Sequence, residues 1–231
     1  IWFPTGGGKT EAYLAVTAFL VIYRRMTQGD LGYGTAVIMR YTLRLLTTQQ
    51  FQRAATLFCS LEMIRRRYSQ ELGDEEFSIG LWVGGDTTPN DYQKAVAQFD
   101  ELLKHDKPKN PFQLDRCPWC GTEIIPERKS SVQSDYGVHS TTEVFFLFCP
   151  ENSCPFHSRL PVGVVDEQLY DSPPTLLLAT VDKFARMAWV GQVRSFFGSG
   201  CRRPPELIIQ DELHLISGPL GTLVGIYETA I

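Results

Sequence analysis

Pro4-Thr5-Gly6-Gly7-Gly8-Lys9-Thr10 is a glycine-rich run that opens directly into a helix-forming stretch, Glu11-Ala12-Tyr13-Leu14-Ala15-Val16. Such backbone can curl so that successive N–H groups point at one anion, and the helix that follows adds the positive end of its dipole. The chemistry offered is phosphate binding. Backbone from Thr5, Gly6, Gly7 and Gly8 would cradle the phosphates, Lys9 would reach the β- and γ-phosphates, and the Thr10 hydroxyl would bind Mg²⁺. Far downstream, Leu207-Ile208-Ile209-Gln210-Asp211-Glu212-Leu213-His214 sets two carboxylates and a histidine after an apolar run. Asp211 could complete the Mg²⁺ site, and Glu212 could orient or deprotonate an attacking water. Either half alone has a plain reading, as a flexible surface loop or a solvated strand end. In this order they describe a site for ATP with Mg²⁺.

A second set of reactive residues lies between them. Cys117-Pro118-Trp119-Cys120-Gly121 has the form of a zinc knuckle, and Cys149-Pro150-Glu151-Asn152-Ser153-Cys154 supplies another cysteine pair. Together they can make a tetrahedral Cys₄ site, with His157 as an alternative to Cys154. The 28 residues between the pairs suit a ribbon whose strands are Thr122–Ile125 and Glu143–Phe148. Disulfides are disfavoured, because an ATP site without a secretion signal points to a reducing compartment and a cytoplasmic location. Four cysteines with no open position favour structural Zn²⁺ over a catalytic metal. The ribbon holds few apolar residues, so zinc is expected to supply much of its folding free energy. Cys59 reads as a core residue and Cys201 as an ordinary loop cysteine. His105 and His139 read as solvated side chains.

Elements that could position these groups follow from periodicity. Helices are expected over roughly 10–26, 43–70 and 91–104. Ala12–Tyr23 reads as a buried helix. Strands are expected at Thr35–Met39, Phe77–Val83, Thr175–Ala179 and Leu207–Ile209. The last two are near-continuous apolar runs, as in parallel strands covered on both faces. Strands alternating with helices imply a parallel α/β sheet, with ligands at the carboxyl ends of the strands. Residues 105–165 break the pattern and form a zinc-ribbon-like insertion between a first part, 1–104, and a second, 166–231. The 231 residues, 43% of them hydrophobic, suffice for a sizeable core, and no apolar run is long enough to span a membrane. The net charge of −4 gives no basic footprint for nucleic acid. Arg65-Arg66-Arg67, the densest basic run, reads as a solvated helix end that complements the dipole. Ile1 stands almost at the phosphate loop and Ile231 inside an apolar helical pattern, so the expectation is a piece of a longer protein.

Thr5-Gly6-Gly7-Gly8-Lys9-Thr10 followed by Asp211-Glu212-Leu213-His214 resembles motifs I and II of superfamily 2 helicases and translocases of the DExH type. Phe3 stands where the general phosphate-loop pattern has glycine. Three intervening segments resemble the family's nucleic-acid loops: Val37–Arg44, Trp82–Thr87 and Leu178–Phe184. Tyr41-Thr42 replaces the usual proline-threonine in the first. Gln210–Thr222 together with Thr180–Ala185 looks like the helicase component of DISARM-type antiphage systems. The resemblance implies a first RecA-like domain of the P-loop NTPase fold, which is α/β with a parallel sheet flanked by helices. It implies Mg²⁺-dependent ATP hydrolysis coupled to movement on nucleic acid, DNA before RNA. It also implies backbone-phosphate contacts from Arg40, Thr42, Gly84, Gly85 and Thr180, and a coupling role for His214. The implied partners are a second RecA-like domain, which would bring the arginine finger, and other defence-system subunits. Arg202-Arg203 precedes motif II and is not that finger. Two other readings remain: a nucleotide-dependent switch or assembly ATPase, and a zinc-ribbon interaction module on a non-hydrolysing P-loop fold.

Overall fold

The computed structural model describes residues 8–41, 48–184, 190–198 and 202–210. Thr5, Gly6, Gly7, Thr42, Asp211, Glu212 and His214 lie outside the described residues. The elements in chain order are α1 (Lys9–Gln28), β1 (Val37–Tyr41), α2 (Thr48–Arg67), α3 (Ser69–Leu72), β2 (Ile79–Trp82) and α4 (Tyr92–Leu102). They continue with β3 (Val138–Ser140), β4 (Phe145–Leu147), β5 (Val162–Gly163), α5 (Asp166–Asp171), β6 (Leu176–Thr180), α6 (Val181–Phe184) and β7 (Leu207–Gln210).

Five strands form one sheet in the order β5-β2-β6-β1-β7, and every pairing in it is parallel. β1 and β6 lie side by side, and every residue of both is buried. That burial explains the apolar runs at residues 37–39 and 176–179, because helices or loops cover both faces of a parallel sheet. Alternate residues go to opposite sides. Val37, Met39 and Tyr41 join the larger core, with Phe51, Phe58 and Leu61 of α2 and Ala95 and Phe99 of α4. Ile38, Trp82, Leu177 and Ala179 join a smaller core with Leu169 and Phe196. In the smaller core the Trp82 ring meets Phe184 and Phe196 edge-on at 5.6 and 5.4 Å, and its indole N–H donates to Tyr170 Oη at 3.0 Å.

Gly80 and Gly163 are register partners on β2 and β5. A Cβ on either would stand 2.6 or 2.7 Å from Leu169 Cδ2, so the absence of side chains at this pair lets α5 lie close on the sheet.

α1 is apolar on both flanks, but it is not the fully buried helix that its composition suggests. Thr17, Val21, Arg24 and Arg25 face inward, and Val16, Phe19, Tyr23 and Met26 are exposed. The inward arginines anchor the helix. Arg24 donates to the carbonyls of Gly32 at 3.0 Å, Pro204 at 2.8 Å and Arg203 at 2.7 Å, with Glu206 at 3.8 Å. Arg25 donates to the carbonyls of Leu72 and Glu75 and lies over the rings of Tyr33 and Phe77. Burial lowers the Arg25 guanidinium to about 10, which leaves it charged at neutral pH.

The basic run at the end of α2 differs from its expected role as a solvated face. Arg65 and Arg66 grip the buried Glu62 at 2.7 and 2.9 Å, and Glu62 also accepts from the Phe77 N–H at 3.0 Å. Burial pushes the Glu62 carboxyl up. The hydrogen bonds from Arg65, Arg66 and Phe77 outweigh that and hold it below the ordinary carboxylate range.

Arg24→Met would leave the carbonyls of Gly32, Arg203 and Pro204 without their donor, a loss on the order of 3 kcal/mol. Arg24→Lys should recover little, since one ammonium cannot reproduce a planar fork. Urea unfolding of the three proteins checks this; equal midpoints would refute it.

Candidate metal centre and nucleotide-site elements

The cysteine pairs come together because each sits in a tight turn stapled by its own backbone. In the first, Gly121 donates its N–H to the Cys117 carbonyl at 2.9 Å, and Cys117 donates to the Thr122 carbonyl at 2.7 Å. Gly121 takes φ +80°, which a side chain would strain. An Arg116–Glu123 bridge closes the turn with an ion pair at 2.8 Å. In the second, Cys149 donates to the Phe156 carbonyl and Cys154 to the Glu151 carbonyl, both at 3.0 Å.

The Sγ atoms of Cys117, Cys120, Cys149 and Cys154 all lie within 4.8 Å of one another. Cys117 and Cys154 are 3.8 Å apart, and Cys120 and Cys149 are 3.4 Å apart. Four sulfurs about 2.3 Å from one zinc would be roughly 3.8 Å from each other, so the set fits a tetrahedral ion. All four cysteines are free thiols, as is Cys59. Burial pushes the Cys117 thiol up to about 11 and raises Cys149 as well. For Cys120, burial pushes upward, but hydrogen bonds from Thr122 and the neighbouring thiols hold it down at about 7. A metal would have to displace the protons that remain, so its affinity falls as pH drops. His157 is placed otherwise: its Nδ1 lies 2.8 Å from the Cys149 carbonyl, and its ring meets Phe148 edge-on.

The ribbon differs from its expected form in two respects. β4 pairs antiparallel with β3, and Thr122–Ile125 contributes only the isolated Arg116–Glu123 bridge. The insertion is also not poor in core. Phe112, Leu114, Ile124, Tyr136, Val138, Phe145, Leu147, Phe156 and Leu160 are buried in the same cluster as the sheet's larger core. Tyr136 meets Phe99 of α4 edge-on at 6.2 Å, and Arg66 of α2 lies over Phe156. The fully buried Cys59 lies on α2, and burial, with Cys117 and Cys154 nearby, raises its thiol. The chain then re-enters the main sheet at β5.

At the other candidate site, Gly8 takes a left-handed conformation, φ 74° and ψ 26°, and Lys9 and Thr10 open α1. A helix start leaves backbone donors directed along its axis, the requirement for an anion. Glu11 in this first turn pairs with Arg53 of α2 at 3.2 Å, an exposed contact worth little. β7 lies parallel beside β1, so Gln210, the partner of Arg40, stands at the same edge of the sheet as the end of β1. Gly84 and Gly85 follow β2 at that edge, and Gly85 is exposed. Arg40, next to last in β1, and Thr180, last in β6, are 4% and 1% exposed, and the Arg40 guanidinium lies over the Phe184 ring at 5.0 Å. Lys183 makes a buried ion pair with Asp166.

Sequence reading missed Glu62, Arg24 and the Lys183–Asp166 pair. Only Glu62 left a local signal, three and four residues before Arg65 and Arg66 on one helix. The other two join residues far apart in the chain.

The fold is thus a parallel α/β sheet flanked by helices, carrying a cysteine cluster that could hold zinc. No family model matches the chain. It is 37% identical over 285 aligned residues to DISARM protein DrmA of Bacillus paralicheniformis, a match that takes in all of this chain and 24% of that protein. The chain therefore spans about a quarter of the length of the curated relative it matches.

Because insertion and sheet share one core, chelation should lower the melting temperature of the whole domain in a single transition. A separate early transition of the insertion, with the rest unchanged, would refute this. Metal analysis should find one zinc per chain, kept in His157→Ala and lost or weakened in Cys154→Ser.

Proposed function

We propose that this chain is the first RecA-like domain of a superfamily 2 helicase or translocase that works in antiphage defence, powered by Mg²⁺-dependent ATP hydrolysis. One observation carries the reading. The helix that begins at Lys9 is bolted through Arg24 to Arg203 and Pro204, the residues that lead into β7, and β7 runs toward Asp211-Glu212. This tie joins the helix that follows the glycine-rich run to the approach to β7, which supports reading the two motifs as parts of one site beside a parallel sheet. The likeness to DISARM protein DrmA supports the defence role and suggests other defence-system subunits as partners.

In this reading the phosphate loop Thr5–Gly8, with Lys9, stabilises phosphate charge. Thr10 and Asp211 would hold Mg²⁺, which neutralises charge on the β- and γ-phosphates when bound. Glu212 positions or deprotonates the attacking water, and His214 couples the site to nucleic acid. Gly84 and Gly85 are the accessible backbone contacts. Arg40, Thr42 and Thr180 are the further nucleic-acid residues of this reading, and Arg40 lies over the Phe184 ring, where it shapes the end of β1. The cysteine cluster carries structural zinc. A second RecA-like domain supplies the transition-state cation.

In the full-length protein, Lys9→Ala should remove ATP turnover. Glu212→Gln should keep ATP binding and lose turnover. Single-stranded DNA should raise the wild-type rate. Undiminished turnover in Glu212→Gln would overturn the hydrolytic assignment, and a rate indifferent to DNA and RNA would favour a nucleotide switch.

A further inference from the structure

Beyond its first turn, α1 keeps its charge inside and apolar groups outside. Its two arginines, Arg24 and Arg25, point inward and are 0% and 2% exposed, while Val16, Phe19, Tyr23 and Met26 face outward at 49%, 68%, 52% and 63%. Charged side chains almost always lie outside, and contiguous exposed apolar groups mark an interface. From Ala12 to Gln28 the only charged residues are those two buried arginines, so nothing charged keeps the outer face wet. The rings of Phe19 and Tyr23 stack on each other at 5.8 Å, 13° from parallel, and make a flat apolar ledge midway along the stripe.

The stripe itself indicates its occupant. Its residues are spaced three, four and three apart, the seam that one helix offers to another. A face with no charge suits a permanent interface, since reversible ones carry a polar rim. The matching region is 24% of DrmA, so most of such a polypeptide lies outside the stretch seen in this chain. An element on the same chain also binds at high effective concentration.

We propose that this stripe seats an amphipathic α-helix supplied by the same polypeptide from outside residues 1–231. The helix packs lengthwise on Val16, Phe19, Tyr23 and Met26 and clamps the element that begins at Lys9. This assignment does not depend on ATP hydrolysis; it depends on the chain being part of a longer protein.

The test uses the full-length protein with a photoreactive phenylalanine analogue in place of Phe19. Irradiation should produce a crosslink within one polypeptide, with no species of two-chain mass. Peptide mapping should place the other end in a segment with aliphatic residues three and four apart. Absence of a crosslink, or a crosslink to a second copy or another protein, would overturn the proposal. Phe19→Glu should lower the melting temperature by several degrees and Phe19→Ala by less; no change in either would overturn it too.

Discussion

The Arg24 guanidinium is the constraint on which much of this structure depends. It lies buried between α1 and the approach to β7 and reaches carbonyls on both sides of the gap. A buried charge costs several kcal/mol unless its donors are met, and here a planar fork meets carbonyls that would otherwise lack partners. The pairing spans 180 residues of sequence, between the helix that starts at Lys9 and the strand that ends at Gln210. A helix of 20 residues is roughly 30 Å long, so a tilt at the Arg24 end would displace the Lys9 end. Arg25, held over Tyr33 and Phe77, adds a second anchor one residue further along the helix.

The insertion is bound to the sheet by the same economy of buried polar groups. Glu62 sits inside the larger core, satisfied by Arg65, Arg66 and the Phe77 amide. Arg66 then reaches the Pro155 carbonyl and covers Phe156, next to the second cysteine turn. Through this bridge α2 touches both the approach to β2 and the second cysteine turn. The cysteine cluster therefore ends a continuous core rather than standing as a bead on a tether.

The parallel sheet was legible because burial on both faces imposes unbroken apolar runs. The run at residues 176–179 carries that signature directly, and residues 37–39 read as a short buried strand. β5 was not legible, since two residues have no period, and its place is set by the fit of Gly80 and Gly163 against Leu169. The ribbon was half legible. Phe145–Leu147 falls within the mostly apolar stretch read as a strand, residues 143–148, but its partner Val138–Ser140 is selected by cross-strand pairing, His139 against Phe146, and not by its own sequence. The spacing of the cysteines was enough to name Cys117, Cys120 and Cys149, because a metal fixes local turn geometry, and it left Cys154 and His157 as alternatives for the fourth place.

By itself the sequence determined the class of sheet, the two cysteine turns and the residues that open α1. Each of these is a local rule, of period, of spacing or of turn geometry, and needs no distant partner. Tertiary structure alone decided which arginines would be core residues, which face of α1 would stay exposed, and that His157 would serve a carbonyl while Cys154 joined the thiols. Those outcomes turn on groups far apart in the chain that compete for one buried space, where the cost of an unmet polar atom outweighs any local preference.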